Sequence, residues 1–183
     1  MRNNKIIDIL GISGSLKSTS SNTNILRFIS TIDPAHVSVK IFEGLDALPH
    51  FNPERTETIK TVENLRQQIK EADAVIFSTP EYAFGVPGVL KNALDWLVSS
   101  GELNEKHVAA ISASPLYLGG DKALASLLLT LAALGANMEA DSSVSIANVK
   151  NKIDEAGCVT DTETLAALQL LLENLISRVK DRD

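Results

Sequence analysis

The residues best equipped for chemistry lie in three loops, each after an apolar run. The first loop, GISGSLKSTSSNTN at 11–24, packs two glycines and seven hydroxyl side chains between a greasy strand pattern and a greasy helix pattern. Ser13, Ser15, Ser20 and Thr23 offer neutral donors, Asn22 an amide and Lys17 a positive charge. A helix start has backbone N–H groups without partners and a favourable dipole, so a donor-rich turn in front of one suits an anion. Two readings fit the loop: a cradle for a phosphate, or Ser20 to Thr23 acting as plain helix caps. Neither common glycine motif is present: Leu16 stands where GxGxxG needs glycine, and GxxxxGK[ST] is absent. Gly14 reads as the residue that lets this backbone turn tightly.

The second loop, within STPEYAFGVPGVLKNALDWL at 78–97, has Pro80, Gly85, Pro87 and Gly88 close together. Pro87 suits the entry to a helix. A short rigid turn carrying Tyr82 and Phe84 could present backbone amides to the edge of a planar ligand, or be an ordinary strand-to-helix turn with two half-exposed aromatics. Glu81 and Asp95 invite an acid–base pairing, but their spacing does not require proximity, and solvated carboxylates, with Asp95 on the helix surface or at a subunit contact, are the favoured reading. Lys91 and Asn92 read as surface or packing residues. The third loop, SASPLYLGGDK at 112–122, places Gly119 and Gly120 before another helix pattern. Tyr117 reads as a lid or as loop packing.

These loops must be positioned by an alternating scaffold. Strands are expected at 5–12, 37–42, 73–80 and 107–114, and within 137–146. Helices are expected at 22–30, ended by Asp33-Pro34, then at 57–72, 88–99, 119–135 with a glycine C-cap, and 162–180. DAVIFSTP and HVAAISAS are almost uninterrupted apolar runs, as strands covered on both faces require. VSVKIF alternates and reads as an edge strand. Five βα repeats imply a parallel sheet between two helical layers, with ligands outside the carboxyl ends of the strands.

Composition narrows the classes. The 183 residues are 44% hydrophobic and 22% charged, which fits one domain with a full core. A net charge of −6 argues against a nucleic-acid surface. Cys158 is the single cysteine, and His36, His50 and His107 lie far apart, so neither a disulfide nor a metal site is expected. No secretory leader and no membrane span is expected, and a reducing cytoplasm is the expected setting.

GSLKSTSSN resembles the GSLRxxSxN phosphate loop of the NADPH-dependent FMN reductase family, and PEYAFGVPGVLKNALDW resembles its PEYxxxxPGxLKNAxDW flavin loop. The resemblance spans nearly the whole chain. It implies a flavodoxin-like three-layer α/β sandwich with a five-stranded parallel sheet of order 2-1-3-4-5, forming a single domain over 1–183. It implies FMN as cofactor and NADPH or NADH as hydride donor, with a small-molecule electron acceptor. Ser13, Ser15, Lys17, Ser20, Asn22 and Thr23 would then line the FMN phosphate site. Pro80, Glu81, Tyr82, Ala83, Phe84 and Gly85 would border the ring and ribityl, largely through backbone groups. Gly119 and Gly120, with Ser114, would close the third side. Lys17 departs from a common Arg, Ala83 from a common Asn, and Phe84 from a small or polar residue.

On this reading no side chain is an essential proton carrier, and donor and acceptor share one place in a ping-pong cycle that ends on a quinone, azo compound, metal ion or free flavin. The helix patterns 88–99 and 119–135 are apolar around much of their circumference, so a homodimer or homotetramer contact is expected there. A non-enzymatic flavodoxin-type carrier, a flavin-binding sensor and a serine hydrolase are the alternatives. The carrier lacks its TxTGxT loop here, and the hydrolase lacks a GxSxG elbow.

Overall fold

The computed structural model describes residues 6–33 and 35–181. Lys5, in the first expected strand, and Pro34, expected to end the first helix, lie outside the described residues.

Five strands form one parallel sheet: β1 (Ile7–Ser13), β2 (Val37–Ile41), β3 (Ala74–Thr79), β4 (His107–Ala113) and β5 (Ser143–Ile146). Their order is β2-β1-β3-β4-β5, the flavodoxin-like order expected. β2 lies at one edge, and its alternating burial follows from having one covered side, whereas β3 and β4 are buried throughout. The helices are α1 (Ser21–Ile29), α2 (Lys60–Glu71), α3 (Gly88–Asp95), α4 (Asp121–Ala133) and α5 (Thr162–Asp181).

The pleat sorts the strand residues into two cores. Leu10, Ile12, Val75, Phe77, Val108 and Ala110 meet α2, α3 and α4 on one face through Leu65, Leu94 and Leu127. Ile9, Ile76, Ala109 and Ile111 meet α1 and α5 on the other through Ile25, Leu26, Leu168 and Leu172. Successive residues point to opposite faces, so a continuous apolar run feeds both cores at once. Each fully buried Leu or Ile contributes about 1.5–3 kcal/mol.

Three helices are shorter than expected. α2 begins at Lys60, with Ile59 extended as its N-cap while still packing on the core. α3 stops at Asp95, and its Trp96 end is held by the Arg66 guanidinium donating to the Trp96 carbonyl at 2.9 Å. α4 excludes Gly119 and Gly120, which adopt left-handed backbone in front of it. At its far end the C-cap is Leu134, and Gly135, also left-handed, follows it and ends the helix. Asn92 is a packing residue: its Oδ1 accepts from Phe51 N–H, and its Nδ2 donates to the Pro49 carbonyl, as does Trp96 Nε1. Lys91 pairs with Asp95 on the helix surface at 2.5 Å.

Candidate functional site

β1, β3 and β4 end in register. Ser13 sits beside Ser78, and Thr79 beside Ser112, so a row of hydroxyls marks the carboxyl edge of the sheet. All three loops of interest leave from this edge. Strand order turns about β1 and β3, which places the loops after them at the switch point.

In the first loop, Ser20 is the N-cap of α1, yet it makes no side-chain cap bond, and no acidic residue occupies the first turn. The capping reading is therefore not what the geometry shows. The leading N–H groups of a helix have no intrahelical acceptor, and among the described residues no side chain caps them here. Ser13 and Thr23 hydroxyls are hydrogen-bonded at 2.7 Å, Ser15 N–H donates to Ser13 Oγ, and Lys17 N–H donates to Ser15 Oγ. Lys17 is exposed at the rim, while Ser13 and Ser20 are buried beneath it.

Gly14 has a different role from the one its sequence context suggested. It is not among the positive-φ residues. Its N–H donates to the Ser78 carbonyl at 2.8 Å, and a Cβ there would lie 3.0 Å from Thr79 Oγ1 and 3.1 Å from Leu90 Cδ2. Close approach to β3 and α3, rather than turning, favours glycine, since a Cβ would make the Thr79 and Leu90 side chains give by a few tenths of an ångström. Asn22 points inward. Its Nδ2 donates to the Ala113 carbonyl at 3.0 Å, and its Oδ1 accepts from Ser78 Oγ at 2.9 Å. It ties α1 to the ends of β3 and β4, leaving its backbone N–H to face the loop.

In the second loop, Tyr82 and Gly85 exchange both backbone hydrogen bonds at 3.0 Å, closing a two-residue turn. Ala83 and Phe84 at its tip have φ of +49° and +62°. This is the backbone of a type I′ turn, ordinarily built from Asn-Gly. Phe84 is thereby lifted into solvent at 79% exposure. Pro80 and Gly85 are half-buried at its base. Glu81 is half-buried, and its Oε2 accepts from Ala123 N–H, in the first turn of α4, at 3.0 Å, while Asp95 pairs with Lys91.

In the third loop, Gly119 and Gly120 have φ of +65° and +83°. The Gly119 carbonyl accepts from Ser112 Oγ at 2.9 Å, and a Cβ on Gly120 would touch Glu81 and Ser112 side chains at 3.4 Å. Ser114 is buried, and its Oγ accepts from Leu116 N–H, so this hydroxyl shapes its own turn. Tyr117 projects outward, 77% exposed, with Leu116 and Leu118 beside it.

Sequence reasoning missed Ser78, Thr79 and Ser112, the strand-end hydroxyls that join these loops. The signal was available: each is a polar residue closing an otherwise apolar strand, AVIFST and HVAAISA.

The arrangement can hold a dianion at the uncapped start of α1, with hydroxyls and Lys17 around it. The Tyr82–Gly85 turn and the paired glycines follow neighbouring strands, and both present backbone at the same edge. A phosphorylated planar ligand such as FMN fits this donor set. Among the described residues no cluster of His, Cys, Asp or Glu could hold a metal ion, and no helix is long and apolar enough to cross a membrane.

A flavodoxin-like sheet with such an edge defines a class of flavin proteins. The family profile of NADPH-dependent FMN reductase matches residues 7–151, and the chain belongs to that family. It is 33% identical over 173 residues to an NAD(P)H-dependent FMN reductase of Pseudomonas aeruginosa, covering 92% of this chain and 93% of the relative. It is 32% identical over 165 residues to the quinone reductase of Escherichia coli, covering 87% and 88%. FerB, a flavoenzyme NAD(P)H:(acceptor) oxidoreductase from Paracoccus denitrificans, superposes with a TM-score of 0.84 at 26% identity, covering 96% of this chain and 98% of that one. Membership makes the chain an oxidoreductase and assigns it FMN as cofactor and NAD(P)H as hydride donor.

Proposed function

We propose that this chain passes reducing equivalents from NAD(P)H to a small electron acceptor, a quinone foremost, at an FMN seated on the carboxyl edge of the sheet. The observation that carries the reading is the uncapped start of α1, ringed by Ser13, Ser15, Lys17, Ser20 and Thr23 and free of acidic residues in its first turn. Backbone N–H groups and hydroxyls would hold the phosphate without themselves changing charge, and Lys17 would offset its charge from the rim. Asn22 would contribute its backbone, since its side chain is committed to Ser78 and Ala113. Pro80 to Gly85 would border one side of the ring, and Gly119 and Gly120, whose missing side chains leave backbone accessible, the other. Ser114 would act by shaping the third loop.

When bound, FMN supplies the hydride and electron chemistry, and the protein supplies binding, orientation and electrostatics. Exposed Leu16, Tyr82, Phe84, Leu116, Tyr117 and Leu118 form an apolar rim that would exclude water from a stacked nicotinamide or acceptor. One gap serves both substrates in turn, so double-reciprocal plots at several acceptor concentrations should be parallel. Intersecting plots would reject a shared site.

The outer face of α4 presents Ala125, Leu129 and Ala132, with Leu129 76% exposed, and is proposed as a homodimer or homotetramer contact. Residues 1–183 are proposed to act as one FMN-binding domain, and the lone free Cys158 fits a cytoplasmic setting. Purified protein should titrate with FMN at micromolar concentration, bleach on anaerobic NAD(P)H addition and recolour with a quinone. Bound flavin that does not bleach would instead indicate a carrier or sensor.

A further inference from the structure

We infer that Glu81 is a positioning residue whose carboxylate sets the width of the flavin gap by pinning the 80–85 loop to the start of α4. The inference rests on the FMN reading for its ligand, and on contacts between the second and third loops for its geometry.

Glu81 Oε2 accepts from Ala123 N–H across 42 positions of sequence, at 3.0 Å. A Cβ added at Gly120 would lie 3.4 Å from the Glu81 Cβ, so the base of the Glu81 side chain sits beside the Gly120 backbone. Among the described residues, α4 offers this amide no other acceptor. Its N-cap is Gly120, which has no side chain to cap with. An anionic acceptor placed there gains from the helix dipole as well as from the hydrogen bond.

The loop in turn needs the anchor. Ala83 and Phe84 both hold left-handed backbone, which L-residues adopt at a cost, and such strain persists only where the surroundings fix it. Tyr82 and Phe84 are exposed and contribute little burial to hold the turn down. Pro80 restricts the backbone on one side of Glu81. Among the described residues, Glu81 is thus the one side chain of residues 80–85 that hydrogen-bonds to the start of α4. Cutting it leaves the turn formed but its distance from Gly119 and Gly120 unfixed.

The test uses Glu81→Gln, which keeps a carbonyl acceptor for Ala123 N–H, and Glu81→Ala, which does not. In apo-protein, Glu81→Ala should speed amide hydrogen exchange at Ala123, and Glu81→Gln should restore most of the protection. FMN affinity, read by flavin fluorescence on titration with apo-protein, should fall about tenfold for Glu81→Ala and less than about threefold for Glu81→Gln. Unchanged exchange and FMN affinity in Glu81→Ala would overturn the proposal. So would equal loss of affinity in both variants, which would make the carboxylate a direct ligand. Failure of the parent protein itself to bind FMN would refute the functional reading, and the exchange experiment would still decide the anchoring.

Discussion

The type I′ turn at Ala83 and Phe84 makes a quantitative prediction about stability. Ala83 has φ of +49°, is exposed, and its methyl group packs on little. An L-residue in this region costs roughly 1–2 kcal/mol relative to its preferred conformations. Replacing Ala83 by Gly removes that cost but adds about 0.5–1 kcal/mol of unfolded-state entropy, leaving a net gain of about 0.5–1 kcal/mol. Asn, which tolerates left-handed backbone, should gain similarly without the entropic cost. In a chain of this length about 1 kcal/mol moves the melting midpoint by roughly 2–4 °C. Ala83→Gly and Ala83→Asn should therefore raise Tm by about 1–4 °C, and Ala83→Val should lower it by at least as much. The measurement belongs on apo-protein, because ligand linkage would mix affinity into Tm. If Gly and Asn leave Tm unchanged while Val is tolerated, the turn does not hold this backbone in solution and the strain reasoning fails.

Gly119→Ala should cost about 2 kcal/mol or more in urea unfolding, because a methyl group there would overlap Ser145 Oγ and lie 3.0 Å from Ala147 N at a φ of +65°. Asn22→Asp should cost about 2–3 kcal/mol, since it removes the donor to the Ala113 carbonyl and leaves a buried carboxylate facing that oxygen. An unfolding midpoint equal to the parent's in either variant would contradict the packing described. Asp161 precedes α5, and its pKa lies below the ordinary carboxylate value, first through the Thr164 hydroxyl, then the Thr164 N–H, with help from the Lys152 charge. A lowered folded pKa stabilises above the unfolded value of 3.8, and this is lost as pH falls through the folded value. The Tm gap between parent and Asp161→Asn should thus be largest near neutrality and close below pH 3.8; a gap constant with pH would refute it.

Much of the scaffold was legible because both cores are written in period. The buried strands need apolar residues on both faces, and the edge strand VSVKI needs them on one, so burial is visible as runs or alternation. The helix ends were less so. Ile59 looks like part of an amphipathic helix, yet it reaches the core from extended backbone. Gly14 could not be assigned its role, since a glycine needed for close packing and one needed for a turn look the same in a single chain. YAFG carries no Asn-Gly signal, so the type I′ turn was invisible. Nor could spacing reveal that Glu81 meets Ala123 or that Asn22 meets Ser78, because those contacts exist only once the strands are in register.

The three family departures fall where this construction can absorb them. Lys17, Ala83 and Phe84 are all exposed, and among the described residues none makes a side-chain bond to another loop. The buried or half-buried polar groups do the opposite: Asn22 and Ser78 join α1 to the strand ends, Ser112 joins β4 to the third loop, and Glu81 joins the second loop to α4. On the proposed reading, what remains to meet FMN is largely backbone, at the start of α1, along the Tyr82–Gly85 turn and beside Gly119. A surface made of backbone keeps its donors whatever side chains surround it, provided the struts hold it in place. Exchanges at the rim can then alter affinity and acceptor range while the seat persists, whereas exchanges at the struts, though they touch no ligand, would dismantle it.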